Sequence, residues 1–176
     1  MKALILFRYL ALTLAVLGAA NLSTARAHDG DDGDDRPGAL TLTGFQEVPS
    51  IVSDATATFK ARVAPDGSKI DFELTYSGFD STVIQSHIHI AQRGVNGAVS
   101  VFLCGPAAPA HTTCPQSGTV TGTLTAADVL NVPAQGVAAG QLDRLIRAIR
   151  AGVTYANIHT ANHPGGEIRV QIIRGD

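Results

Sequence analysis

The sequence predicts an all-β domain: an antiparallel β-sandwich, or Greek-key-like barrel, of about eight strands with one amphipathic helix before the last two. Three observations carry this. Two runs of strictly alternating residues flank a turn signal at Pro65-Asp-Gly-Ser68. Six further short segments read as strands, and only one stretch, about 139–151, has the helical period. Short strands separated by turn residues, with a single helical insertion, belong to sandwiches and barrels rather than to parallel α/β sheets.

The hairpin is the firmest element. Ala55, Ala57, Phe59, Ala61 and Val63 share one face, while Thr56, Thr58, Lys60 and Arg62 share the other. After Ala64-Pro-Asp-Gly-Ser68, Ile70, Phe72, Leu74 and Tyr76 alternate with Asp71, Glu73 and Thr75. Proline presets the turn and glycine supplies its left-handed corner, so the two apolar faces fall together. The other strand candidates are 40–45, 85–91, 98–103, 118–124, 153–160 and 167–173. Thr125 is placed to cap a short helical turn at Ala126-Ala-Asp128. In the longer helix, Leu142, Leu145, Ile146 and Ile149 fall at i, i+3, i+4 and i+7. Arginines cluster toward its end and Gly152 gives a natural stop.

The chain has 176 residues, 45% of them hydrophobic and 16% charged, with a formal charge of -2. That balance supplies no basic field for nucleic acid or anionic lipid. With no Trp, six Phe and three Tyr, it is also poorly equipped to stack exposed bases. Residues 1–27 read as a secretory signal peptide. Lys2 and Arg8 precede the apolar run Tyr9–Ala20, and Ala25-Arg-Ala27 forms the small-residue cleavage pattern. The run is shorter than the roughly 18 residues of a spanning helix, so no transmembrane anchor is expected after cleavage. Cleavage removes Lys2, Arg8 and Arg26 and leaves the 15 acids in excess. Residues 28–38, with five Asp and two Gly before Arg36-Pro37, form an acidic tail, and 39–174 form the domain. The expected location is periplasmic or secreted. There the pair Cys104 and Cys114 is most simply a disulfide, with thiolate metal ligation the weaker alternative for want of a second cysteine pair.

Four of the six histidines fall in two groups, His87-Ile-His89 and Asn157-Ile-His-Thr-Ala-Asn-His163. Residues two apart on a strand share a face, so His87 and His89 project side by side while Ile88 and Ile90 face the core. His159 lies in another alternating strand in register with Tyr155 and Asn157, and His163 precedes Pro164-Gly-Gly166, a turn that can swing it back. Four imidazoles without Cys or Met make a nitrogen-rich site for copper, with zinc as the alternative. The competing reading is a surface histidine patch or a hydrogen-bonded polar cluster. Glu47, Glu167 and Arg169 can orient such imidazoles, or the last two are solvent-facing strand residues. His28, at the mature N-terminus, adds a possible amino-terminal copper chelate. No phosphate loop, nucleophile elbow or HExxH helix is present.

Gly44-Phe-Gln-Glu-Val-Pro49, Ser53-Asp-Ala-Thr-Ala-Thr-Phe59, Pro65-Asp-Gly-Ser68, Ser86-His-Ile-His-Ile90, Gly94-Val-Asn-Gly97, Asn157-Ile-His-Thr160 and Pro164-Gly-Gly-Glu-Ile-Arg169 together resemble the CHRD (chordin) domain family. The resemblance runs from about Leu40 to Ile173. It implies a β-sandwich found repeated in chordin and alone in many exported bacterial proteins. Bacterial members often carry Gly after H-I-H, where this chain has Ile90, and the position of His163 is less uniform in the family pattern. A weaker likeness, to copper–zinc superoxide dismutase, rests on H-x-H in a sandwich strand, later histidines and a disulfide. That family's bridging histidine, zinc ligands and glycine-rich loops have no counterpart here.

Three functions are therefore expected in order: a copper-binding exported protein, an extracytoplasmic protein-interaction or structural module, and a superoxide-dismutase-like redox enzyme. Binding is favoured over catalysis. An open coordination position would be needed for turnover.

Overall fold

The computed structural model describes residues 38–108 and 112–173. Eight strands form two four-stranded sheets in which every pairing is antiparallel. The first contains β1 (Leu40–Leu42), β2 (Thr56–Val63), β3 (Ile70–Ser77) and β6 (Gly118–Leu124), in the order β1-β2-β3-β6. The second contains β4 (Val83–Ile90), β5 (Ala98–Cys104), β7 (Thr154–Thr160) and β8 (Ile168–Ile172), in the order β5-β4-β7-β8. The helix α1 (Leu142–Arg150) precedes the last two strands, as the sequence pattern predicts. The signal-peptide reading, the acidic tail up to residue 37 and His28 lie outside the described residues.

The alternation of β2 and β3 is realised as read: Ala57, Phe59, Val63, Ile70, Phe72, Leu74 and Tyr76 are buried. They meet Ile88, Ile90, Val101, Leu103, Ala156, Ile158, Ile168, Val170 and Ile172 from the other sheet in one apolar core. Lys60 and Glu73, paired across β2 and β3, meet on the exposed face at 2.8 Å. Leu142, Leu145 and Ile146 of α1 are buried against the core. The helix stops at Gly152, whose φ of 68° is the left-handed corner a Cβ resists. Thr125 and Asp128 form a reciprocal cap on the single turn at 126–128.

One strand is shorter than its pattern. The 40–45 segment leaves the sheet after Leu42 because Gly44 turns into a short 3-10 helix, Gly44–Gln46. The Gly44 carbonyl accepts the Ile51 amide at 2.8 Å, folding the segment that follows back on itself. Thr43 still pairs with Arg169, through two backbone hydrogen bonds of 3.1 Å, and so ties β1 to β8 across one side of the sandwich. Cys104, at the end of β5, is disulfide-bonded to Cys114. No helix among the described residues is long and apolar enough to cross a membrane.

Candidate metal centre

The second sheet has two buried faces, for different reasons. Ser86, Ile88 and Ile90 of β4 point inward, so His87 and His89 point outward; the same alternation turns Tyr155, Asn157 and His159 of β7, and Arg169 and Gln171 of β8, to the outer side. That outer layer would be solvated on a bare sandwich. Here every one of these residues is buried, at 7% exposure or less. Segments 43–53, 91–97 and 163–166 cover it: Gln46 and Val95 carbonyls and the Asn96 side chain hold Arg169, the Ala91 carbonyl accepts Gln171, and the Pro164 carbonyl lies at His159.

In this layer His87, His89 and His159 each offer a ring nitrogen within 4.8 Å of the others. His87 Nδ1 and His159 Nε2 are 3.1 Å apart. His89 Nδ1 lies 2.9 Å from the Gly97 carbonyl and His159 Nδ1 2.9 Å from the Pro164 carbonyl. A carbonyl can only accept, so in both rings the proton sits on Nδ1 and Nε2 carries the lone pair. Backbone carbonyls thus fix the tautomer that exposes the ligating nitrogen, a role usually taken by groups around metal-bound histidines. His87 Nε2 and His89 Nε2 are buried with no hydrogen-bond partner. An unpartnered buried polar atom costs on the order of 1–3 kcal/mol, so two in one cluster call for a reason.

Burial is also the chief cause of the electrostatics. It pushes His87 down to about 3, with the neighbouring His159 and His89 adding to the effect. It pushes His89 down to about 4, opposed by the hydrogen bond to Gly97. His159 is lowered likewise. All three rings are therefore neutral at physiological pH, the form that binds metals. Glu47, buried beside Arg169 at 3.7 Å, is pushed up to about 7 because desolvation outweighs the nearby guanidinium.

Three surrounding residues were not legible as parts of this site. Tyr155 stacks on His89, and the Arg169 guanidinium lies 4.6 Å from the centre of the Tyr155 ring. Gly97 supplies the carbonyl for His89, and its N–H points to the Tyr155 hydroxyl at 3.4 Å. A Cβ at position 97 would lie 1.8 Å from the Ile90 carbonyl oxygen, so only glycine permits this approach. Asn157, opposite His87 in β7, was visible only through its register with His159. A polar side chain in the period-two row of a candidate ligand was the available signal.

The other expectations divide. His163 is not in the three-histidine group; it lines a separate polar cavity of about 160 Å³ with Ser53, Asp54, Asp80 and Glu167. The solvent-facing alternative for Glu167 and Arg169 is corrected, since both are buried. The loops folded over the outer face explain the difference. Glu167 accepts the hydroxyls of Ser53 and Thr160, and Arg169 clasps the covering segments. Neither is the acceptor of a ring N–H.

The fold and the site define the class: a small β-sandwich with a buried three-histidine cluster on the outside of one sheet. The CHRD domain family matches residues 38–172, and the chain belongs to that family. No curated protein and no solved structure matches the chain. The disulfide fits the extracellular setting typical of this domain. The histidine group is compatible with metal binding.

Proposed function

We propose that this is an exported CHRD-domain protein, periplasmic or secreted, that binds one transition-metal ion through His87, His89 and His159. Copper is the leading ion and zinc the alternative, because imidazoles without thiolate or thioether suit both. The observation that supports this most is the pair of buried, unpartnered Nε2 atoms on His87 and His89. An ion would take up both lone pairs, leave the Gly97 and Pro164 hydrogen bonds intact and replace the His87 Nδ1 contact at His159 Nε2. Burial of the cluster favours holding an ion over turning over substrate, which needs an open position.

Metal analysis of the purified protein after copper loading and desalting tests the reading. About one copper per chain is expected, falling to a small fraction in His87→Ala and His159→Ala. Equal copper in all three would remove the cluster as the site. If copper-loaded wild type shows no more superoxide dismutation than His89→Ala, the redox alternative fails while binding stands.

A second reading, a protein-interaction module, draws on Phe45 and Val52. They are 69% and 88% exposed on the segment that packs over Arg169 and Gln171 of the same layer. A stoichiometric protein partner retained after metal stripping would favour it.

A further inference from the structure

His159 Nε2 has a second close neighbour besides His87. Asn157 Oδ1 lies 3.1 Å from it, in a side chain that is 1% exposed. The Pro164 carbonyl takes the His159 Nδ1 proton, so Nε2 presents a lone pair. An amide oxygen also presents only lone pairs. Two acceptors therefore lie side by side at hydrogen-bond distance, and His87 Nδ1 is 3.1 Å from the same Nε2. A positive centre in front of both acceptors would relieve the pair and take the place of the His87 N–H.

The orientation of the amide follows from its other side. A Cβ on Gly166 would lie 2.7 Å from Glu47 Oε1 and 2.9 Å from Asn157 Nδ2, so both atoms abut the same glycine. The amide's donor edge thus faces the region of a buried carboxyl whose Oε1 has no partner. The spacing fits as well. Two atoms bound tetrahedrally to one ion at roughly 2.0–2.1 Å sit about 3.3 Å apart, close to the observed 3.1 Å.

We propose that Asn157 Oδ1 is the fourth ligand of the centre, completing a three-nitrogen, one-oxygen set with His87, His89 and His159, and that this set selects a divalent ion over Cu(I). The proposal rests on the metal reading above and assigns the position that His163 does not reach. An amide oxygen is a hard donor and contributes little to a soft monovalent ion, whereas Cu(II) and Zn(II) accept mixed nitrogen and oxygen ligands.

The test is competition titration of the full chain with Cu(II), Zn(II) and Cu(I), in wild type, Asn157→Leu, Asn157→Asp and His163→Ala. Asn157→Leu should weaken Cu(II) and Zn(II) by at least about 10-fold and leave Cu(I) nearly unchanged. Asn157→Asp keeps the oxygen and should bind at least as tightly as wild type, with a changed Cu(II) electron paramagnetic resonance spectrum. His163→Ala should bind as wild type. If the leucine variant does not fold, the aspartate spectrum decides, and a spectrum identical to wild type overturns the proposal. A large loss in His163→Ala with none in Asn157→Leu overturns it while leaving metal binding in place. A wild type that binds no metal overturns both.

Discussion

The imidazole of His89 lies flat on the phenol ring of Tyr155, with ring centroids 4.6 Å apart and planes within 2°. The two residues face each other across β4 and β7, and both are tied to Gly97, His89 through its carbonyl and Tyr155 through its N–H. Stacking and hydrogen bonding together leave the ring one orientation, with Nε2 free. Stacks of this kind contribute about 0.5–1.5 kcal/mol beyond the area they bury.

Tyr155 should accordingly act on the metal through His89. Tyr155→Phe keeps the stack and should hold metal affinity within about 3-fold, while Tyr155→Leu should lower it by about 10-fold or more. Isothermal titration with Cu(II) measures both. Equal affinity in the leucine variant would show that the stack does not position His89.

Acid should destabilise the metal-free protein. His87 and His89 are depressed to about 3 and about 4, and His159 is depressed too, from an ordinary value of 6.5. Their contribution is complete above that ordinary value and is lost as pH falls toward the folded values, because the unfolded chain takes up protons first. Glu47 works in the opposite sense. Raised from 4.5 to about 7, it stabilises below its ordinary value and loses that effect as pH rises through the folded one. Three histidines outweigh one carboxyl, so the urea midpoint should fall between about pH 7.5 and about pH 5, and Glu47→Gln should steepen the fall. A higher midpoint in acid would contradict this.

Arg169 holds the cover of the site. Its Nε donates to the Gln46 carbonyl, its Nη1 to Asn96 Oδ1 at 3.0 Å, and Glu47 Oε2 lies 3.7 Å from Nε. Arg169→Met should destabilise the fold, at about 1–3 kcal/mol for each buried acceptor left without its donor, here the Gln46 carbonyl and Asn96 Oδ1. Amide exchange in residues 44–48 and 94–97 should accelerate in that variant beyond any change in the β2–β3 hairpin. Uniform acceleration would mean that Arg169 supports the whole fold rather than its cover.

The disulfide should be a local staple. Closing the 10-residue separation between Cys104 and Cys114 stabilises by about 2–3 kcal/mol in the chain-entropy picture. Cys104→Ser/Cys114→Ser should lose that amount in urea denaturation and keep its metal stoichiometry. Loss of metal from a folded double variant would show that the β5 end shapes the centre.

The sandwich was legible because its signals are local. The hairpin, the helix from Leu142, the Thr125 cap and the outward pair His87 and His89 each follow from a period or a turn residue within a few positions. The separation of His159 from His163 was not, since it depends on the turn at Pro164-Gly-Gly166 handing its carbonyl to His159. The burial of Glu167 and Arg169 was hidden for a related reason. Alternation assigns a face, and a loop from residues 43–53, over a hundred positions away, decides whether that face is wet. Asn157 and Tyr155 read as ordinary strand residues until β4 was laid beside β7.

The histidines stand on the outside of their sheet, and the apolar core lies on the inside. Scaffold and chemistry are thus written in alternate letters of the same strands. Ile88, Ala156 and Ile158 close the apolar core, and His87, Asn157 and His159, one position along, make up the buried polar layer on the other side. The motifs that place this chain in its family, His87-Ile-His89 and Asn157-Ile-His159, hold an outward and an inward row at once.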